Sequence, residues 1–319
     1  MDMTQTVNAL PSISVVIPTR NRSDDVRRCL DSLTGVAYPR WDILLIDQST
    51  DTRTRDVVGD VARDLPRLTY DPVPWKGLSR ARNRGVERTR GEIIAFLDDD
   101  CTVGEDWLRR LAAAFARHPD AALVFGAVKP IPYDPANYYI LVYKIPEERV
   151  LRGRGARPRA RGLGAGMYLR RVAAGRIGPF DVHLGVGAGR FLSAEDADYA
   201  YRALALGCDV VETPAVAIEH YGLRAYGDGM ASRNTRENIH AEGALNMKLL
   251  RCGDLSALHL IIARGRSHLH SINWANLVTR RGPNGFGRIV MYLRGLYDSF
   301  LLPVDRARCL YTTKRERAA

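Results

Sequence analysis

The first 130 residues alternate short apolar runs with amphipathic stretches. Ser12 to Ile17 is a β-branched run stopped by Pro18, and Asp24 then opens a helical pattern with Val26, Leu30 and Leu33 on one face. Asp42 to Ile46 reads as a second buried strand, Thr52 to Asp64 as a helix, and Arg67 to Tyr70 as a short third strand. Ser79 to Arg90 predicts a helix capped by Ser79, Glu92 to Leu97 a fourth strand, Trp107 to Arg117 a fourth helix, and Ala121 to Val128 one more strand. Continuous apolar strands separated by helices predict an α/β fold with a mostly parallel central sheet covered on both faces.

After Val128 the pattern weakens. Arg149 to Arg161 holds six arginines among glycine, alanine and proline, which predicts a mobile loop unable to pack a core. Order returns with a strand at Gly164 to Leu169 and a helix from Glu195 to Leu206 ended by Gly207. Two short strands, Asp209 to Val211 and Ala215 to Ile218, are expected around Pro214. Beyond Tyr221 the strand signal is lost, and Thr235 to Arg251 and Phe286 to Phe300 look helical. The division expected is a catalytic domain over 1–222, with a first half near 12–128 and a second near 129–222, then a helical basic extension over 223–319.

Composition narrows the function classes. Of 319 residues, 46% are hydrophobic and 26% charged, so long disorder and fibrous architectures are excluded. The net charge of +11 favours an anionic partner, and the excess concentrates in residues 240–319, which hold thirteen Lys or Arg against five Asp or Glu. The five cysteines form no CxxC pair, which argues against a disulfide framework or zinc site and for a reducing, cytoplasmic setting. The first twenty residues lack a signal-peptide pattern. The most apolar stretch, Ile289 to Val304, is interrupted by Arg294 and Asp298, so no membrane span is expected. With its basic surroundings, Phe286 to Phe300 could instead contact the inner membrane face peripherally, pack on the catalytic domain, or join two subunits in a homodimer.

The candidate chemistry centres on Asp98-Asp99-Asp100 at the end of an apolar strand. Ligands of open α/β sheets bind beyond the carboxyl ends of strands. Three adjacent carboxylates repel one another unless a cation neutralises them, and Mg²⁺ or Mn²⁺ suits oxygen ligands shared with a diphosphate. Glu195 and Asp196 open a helix after the Gly-rich stretch Gly185 to Arg190, where acidic residues serve either as caps or as proton acceptors. Trp75 and Trp107 read as packing residues.

Gly77-Leu-Ser-Arg-Ala-Arg-Asn-Arg-Gly85 followed by Gly91-Glu-Ile-Ile-Ala-Phe-Leu-Asp-Asp-Asp100 resembles the family 2 glycosyltransferases of the GT-A type. Pro18-Thr-Arg-Asn21, Leu45-Ile-Asp-Gln-Ser-Thr-Asp51, Ile177-Gly-Pro-Phe-Asp181 and Glu195-Asp-Ala-Asp198 match the family's other motifs in order. The resemblance covers about residues 12 to 222. It implies a GT-A fold and an inverting transfer of sugar from a nucleotide diphosphate sugar, UDP or dTDP linked, to an acceptor hydroxyl, lipid-linked or not. Polysaccharide, glycolipid and natural-product glycosylation are all compatible with it.

The resemblance also implies roles. Asp100 binds the metal, with Asp98 near the ribose and a second ligand candidate, Asp99 between them helping either in binding the nucleotide sugar, and His220 a further metal ligand. Pro18, Thr19 and Arg20 line the base pocket. Asp47 accepts from the base, with Gln48 where the family often has a second acidic residue, and Arg80, Arg82 and Asn83 bind the donor. Asp196 is the catalytic base, Glu195 orients the acceptor, and Asp198 makes a structural contact. A retaining transferase and a nucleotidyltransferase are rivals within the enzyme class. The second lacks its Gly-rich triphosphate loop, since Pro-Thr-Arg-Asn-Arg stands there. A basic nucleic-acid-binding module is the rival from another class, but no such motif is present and no nucleic acid partner is expected.

Overall fold

The computed structural model describes residues 10–156, 162–272, 278–279, 282–283 and 285–312. Strand β1 (Ile13–Thr19) is buried along its whole length, as a β-branched run covered on both faces requires. Helix α1 (Ser23–Thr34) covers it with Val26, Cys29, Leu30 and Leu33. Strand β2 (Trp41–Asp47), helix α2 (Arg53–Val61), strand β3 (Leu68–Pro72), helix α3 (Leu78–Arg88) and strand β4 (Ile93–Phe96) continue the alternation. The cap of α3 differs from the sequence expectation. Gly77, at φ 132°, caps the helix, and Ser79 lies inside its first turn, buried. That left-handed backbone suits glycine and leaves Ser79 no capping position.

After β4 come β5 (Cys101–Val103), α4 (Trp107–Arg117), β6 (Ala121–Pro130), β7 (Tyr138–Tyr139) and β8 (Arg149–Leu151). Strand β9 (Met167–Arg170), helix α5 (Arg171–Ile177), helix α6 (Glu195–Ala205) and strand β10 (Asp209–His220) follow. One sheet of nine strands forms, in the order β3-β2-β1-β4-β9-β6-β10-β5, with β8 also pairing to β10. The pairings among β1 to β4, and of β6 with β10, are parallel, whereas β9, β5 and β8 run antiparallel to their neighbours.

Three expectations are corrected here. Arg149–Leu151 is not loop but strand β8, because Leu151 is buried and Arg149 pairs with the buried Glu212 of β10. Gly153–Ala156 forms a single helical turn rather than loop, and 157–161 lies outside the described residues. The strand expected from Gly164 begins as a 3-10 turn over Gly164–Gly166. The two strands expected around Pro214 are one strand, β10, which absorbs the proline in a register shift between Thr213 and Ala217.

The chain divides into two packing units. The first comprises Met1–Pro132, Ile140–Pro179 and Tyr199–Gly222 and holds the nine-stranded sheet. In its core Trp107 donates its indole N–H to the Tyr168 hydroxyl at 2.9 Å.

The second comprises Tyr133–Tyr139, Phe180–Asp198 and Leu223–Ala319. It contains β11 (Arg224–Ala225), α7 (Met230–Arg251), α8 (Ser256–His270), the short strands β12 (Val278–Thr279) and β13 (Gly282–Pro283), α9 (Gly285–Phe300), and a hairpin of β14 (Val304–Asp305) with β15 (Leu310–Tyr311). The sequence pattern shows neither these short strands nor α8. The buried positions of α8 are Ala257 and His268, which do not make an apolar stripe. Lys248 is fully buried in this unit, bonding Asp181 at 2.9 Å and pairing with Asp198.

Candidate active site

Register brings the polar groups together. Thr19 lies opposite Asp47, so β1 and β2 end level at the carboxyl edge of the sheet. Leu97 donates its N–H to the Val16 carbonyl, which carries Asp98, Asp99 and Asp100 just past that edge. Apolar strands force this outcome, because their first polar residues emerge where the sheet stops.

The three aspartates meet different partners. Asp98 is the more exposed and has Arg82 at 3.6 Å. Arg82 itself is buried, stacked toward Phe96. Asp99 is buried, accepting from the Thr19 hydroxyl at 2.7 Å and from Arg22 at 2.8 Å. Burial pushes its carboxyl up to about 7 despite Arg22, with Asp100 and Asp98 adding to the rise. Asp100 accepts from Arg22 at Oδ2, 2.8 Å, and faces His220 Nε2 through Oδ1 at 3.3 Å. Burial alone would raise Asp100. His220 and Arg22 outweigh it and hold this carboxyl well below the usual range.

His220 ends β10. Its Nδ1 donates to the Leu141 carbonyl at 2.8 Å, which turns Nε2 toward Asp100. Two acceptors facing each other at 3.3 Å need a proton or a cation on the line between them. Burial lowers the imidazole's proton affinity, but Asp100 prevails and raises it. A Cβ at Gly222 would lie 2.6 Å from His220 Nε2 and 2.7 Å from Asp100 Oδ2, the oxygen that Arg22 also holds, so the bare glycine leaves space beside the imidazole and that side of the carboxylate. Among the described residues, Asp100, Cys101 and His220 place ligand atoms within 4.8 Å of one another. The buried Cys101 thiol is soft and held protonated by burial, so Asp100 and His220 are the donors that suit Mn²⁺ or Mg²⁺. The donor set and the glycine space fit such an ion.

The polar groups at the end of β2 are also held in place. Asp47 is buried, accepting from the Ser49 N–H and the Tyr70 hydroxyl, each at 2.8 Å. Gln48 accepts the Gly77 N–H at 2.7 Å, which ties β2 to the start of α3. Pro18 is buried in β1, Arg20 and Arg80 are exposed, and Asn83 is half-buried on α3. Arg22, Tyr70 and Gly222 escape the sequence reading. Arg22 follows Pro18-Thr-Arg-Asn21 by a single residue, and that adjacency is the signal that could have found it.

In the second unit, Glu195 is buried and Asp196 half-buried at the start of α6, where Asp196 Oδ1 accepts the Ala197 N–H at 2.7 Å. Asp198 is fully buried on Lys248, a structural contact. Asp181 accepts from Lys248 and from the Tyr311 and His183 N–H groups.

Comparison with known proteins agrees with this architecture. The chain is 34% identical over 108 residues to glycosyltransferase AglE of Haloferax volcanii, covering 32% of this chain and 35% of that protein. It is 33% identical over 122 residues to a PGL/p-HBAD biosynthesis glycosyltransferase of Mycobacterium bovis, covering 38% of this chain and 48% of that one. The chain thus spans about a third to a half of the length of these curated relatives. S. aureus TarS superposes with a TM-score of 0.56 at 18% identity, over 83% of this chain and 45% of that one. A form of TarS in complex with UDP-GlcNAc superposes with a TM-score of 0.51 at 16% identity, over 74% of this chain and 66% of that one. The fold is therefore of the GT-A type. Residues 14–175 match the family described as glycosyl transferase family 2, and the chain belongs to that family.

Proposed function

We propose that this chain is a metal-dependent glycosyltransferase that moves a sugar from a UDP or dTDP sugar to an acceptor hydroxyl with inversion. The observation that carries the reading is the facing pair Asp100 and His220 at the sheet edge, with Gly222 leaving room beside them. The presence of UDP-GlcNAc in a TarS structure, and the names of the curated relatives, support a nucleotide-sugar donor. The setting proposed is cytoplasmic synthesis of a surface polysaccharide, glycolipid or glycosylated natural product.

Asp100 and His220 would hold Mn²⁺ or Mg²⁺, with Asp98 on the ribose side. When bound, the ion supplies Lewis-acid stabilisation of the charge on the departing nucleotide diphosphate. Asp47 keeps acceptor capacity beyond its two bonds and receives the imide N–H of the base, beside Pro18, Thr19 and Arg20. Arg80, Arg82 and Asn83 contact the donor from α3, where a guanidinium near a helix N-terminus favours phosphate. Asp99, fixed by Thr19 and Arg22, keeps the acidic turn in place. Asp196 takes the acceptor's proton on its carboxylate as the acceptor oxygen attacks the anomeric carbon, and Glu195 orients that hydroxyl. A single displacement inverts the anomeric centre.

The test is a thermal-shift panel of UDP, dTDP, GDP and CDP with Mn²⁺, Mg²⁺ or EDTA. A nucleotide at a hundred times its Kd adds about 2.7 kcal/mol of stability. Stabilisation by UDP or dTDP, lost with EDTA and in Asp100→Asn, is the expected result. No stabilisation of the folded protein by any nucleotide would overturn the reading.

A further inference from the structure

Helices α8 and α9 each carry a large apolar stripe that is exposed among the described residues. On α8 the exposed residues are Leu258, Ile262 and Leu269, with Leu255 exposed just before its first turn. On α9 they are Phe286, Val290, Leu293, Tyr297 and Phe300. The spacing of three, four or seven keeps each set on one side of its helix. Both helices do have a buried side: Ala257 and His268 on α8, Tyr292 and Leu296 on α9. The exposed stripes are therefore a second apolar face, beyond what the core of this unit requires.

The two stripes adjoin. Gly265 of α8 meets Ile289 of α9, whose side chain lies 4.0 Å from where a Cβ would stand on the glycine. One turn to either side of Gly265 are Ile262 and Leu269, and one turn to either side of Ile289 are Phe286 and Leu293. All four are exposed. The helices thus form one continuous apolar surface around their contact, the kind of patch that marks an interaction site.

Charge identifies the partner. Arg266 on α8, Arg294 on α9 and Arg306 and Arg308 in the hairpin are exposed, within a segment holding thirteen basic against five acidic residues. A two-fold contact with a second copy would set like-charged arginine fringes against each other. Anionic lipid headgroups complement them, while apolar and aromatic side chains enter the acyl boundary. Arginine stems also lie along such a boundary with the guanidinium in the headgroups. No helix among the described residues is long and apolar enough to cross a membrane.

We infer that the joined faces of α8 and α9 dock on the surface of an anionic lipid bilayer, lying in its plane. This concerns the second unit by itself and does not depend on the donor site.

The test is cosedimentation of the full chain with vesicles of phosphatidylcholine alone or mixed equally with phosphatidylglycerol. Binding to the mixed vesicles, falling steeply with salt and weak on the neutral ones, is expected. Ile262→Glu and Leu293→Glu, on different helices, should each weaken binding by about tenfold or more. Arg266→Gln and Arg294→Gln should each weaken it by about fivefold. These positions are exposed, so melting temperatures should stay near that of the wild type, and if one variant misfolds the other helix provides the same reading. No binding to anionic vesicles, or binding that both glutamate variants retain, would overturn the inference. So would a dimer in sedimentation velocity that Leu293→Glu dissociates while vesicle binding persists.

Discussion

His220 Nε2 lies 3.3 Å from Asp100 Oδ1, while the other oxygen of that carboxylate is taken by Arg22. The two oxygens of one side chain therefore have separate duties. Oδ2 is fixed by a guanidinium, and Oδ1 is turned toward an imidazole whose far nitrogen is pinned to the Leu141 carbonyl. Such an outer hydrogen bond sets the ring's orientation and leaves Nε2 facing Asp100, the arrangement on which the proposed cation site rests.

Gly222 keeps that face open, and this makes it the most direct test of the cation site. In Gly222→Ala the new methyl would press on His220 Nε2 and Asp100 Oδ2. Removing the space without removing a ligand should raise the Mn²⁺ concentration needed for half-maximal transfer by about tenfold or more. The melting temperature without metal should fall as well, since His220 and Asp100 are buried and held by Leu141 and Arg22 and would have to shift, so the metal dependence is read at a temperature where the variant is folded. A variant with unchanged metal dependence would show that the ion binds elsewhere.

Asp196→Asn should separate chemistry from binding. The amide keeps the size of the carboxylate but cannot take the acceptor's proton. The expected loss in kcat is about 10²- to 10⁴-fold, with nucleotide-dependent thermal stabilisation retained. The product's anomeric configuration, read by NMR on wild-type product, checks the inversion on which the role depends. Full activity in Asp196→Asn would remove the residue from the mechanism.

The first half of the chain is legible in the sequence because β1, β2 and β4 are short, largely apolar and buried, so their runs stand out between amphipathic helices. Asp98 to Asp100 stand out at the end of such a run, whereas Asp47 is singled out only by the family resemblance; the structure aligns the ends of β1 and β2. Arg22 and Gly222 do not stand out, since their importance comes from which loops converge, and pattern along the chain does not encode that. The strand over Asp209–His220 was split in the sequence reading because Pro214 looks like a stop. The sheet tolerates it at a register shift. Helix α8 does carry apolar residues at helical spacing, Leu258, Ile262 and Leu269, but they are exposed, so the helix belongs to no core that the strand pattern of the first half announces.

The buried cluster around Lys248 predicts a pH signature. Its ammonium lies 2.9 Å from Asp181 and also pairs with Asp198, and all three side chains are buried. Lys248→Met would leave two carboxylates without their counter-ion, at a cost of about 3–5 kcal/mol near neutral pH. Burial would raise Asp181, but Lys248 and the N–H groups of Tyr311 and His183 hold it below its ordinary value. A carboxyl lowered on folding contributes stability above its unfolded pKa, and that contribution is lost as pH falls through the folded one. Wild-type stability should therefore decline below about pH 4, and the deficit of the variant should shrink there because its carboxyls can take up protons. Urea unfolding of both proteins at neutral and acidic pH measures this. A deficit that is the same at both would rule out the ion pair as its source.

The crossing of α7 with α9 depends on two missing side chains. A Cβ at Gly295 would lie 2.0 Å from the His240 carbonyl oxygen, and one at Gly243 would lie 2.4 Å from that of Tyr292. Both clashes are with backbone, which has no rotamer by which to yield, so the helices would have to separate. Alanine elsewhere in a helix is favoured over glycine by up to about 1 kcal/mol. Here overpacking should win, and Gly295→Ala should lower stability by about 1–3 kcal/mol. The neighbouring contacts give the control. Gly265 faces only the end of the Ile289 side chain, at 4.0 Å, so Gly265→Ala should be neutral or stabilising through helix propensity. Opposite signs for the two substitutions, read by chemical denaturation, would show that close backbone approach sets the packing of these helices. A stabilised Gly295→Ala would mean that the two helices cross farther apart than the structure shows.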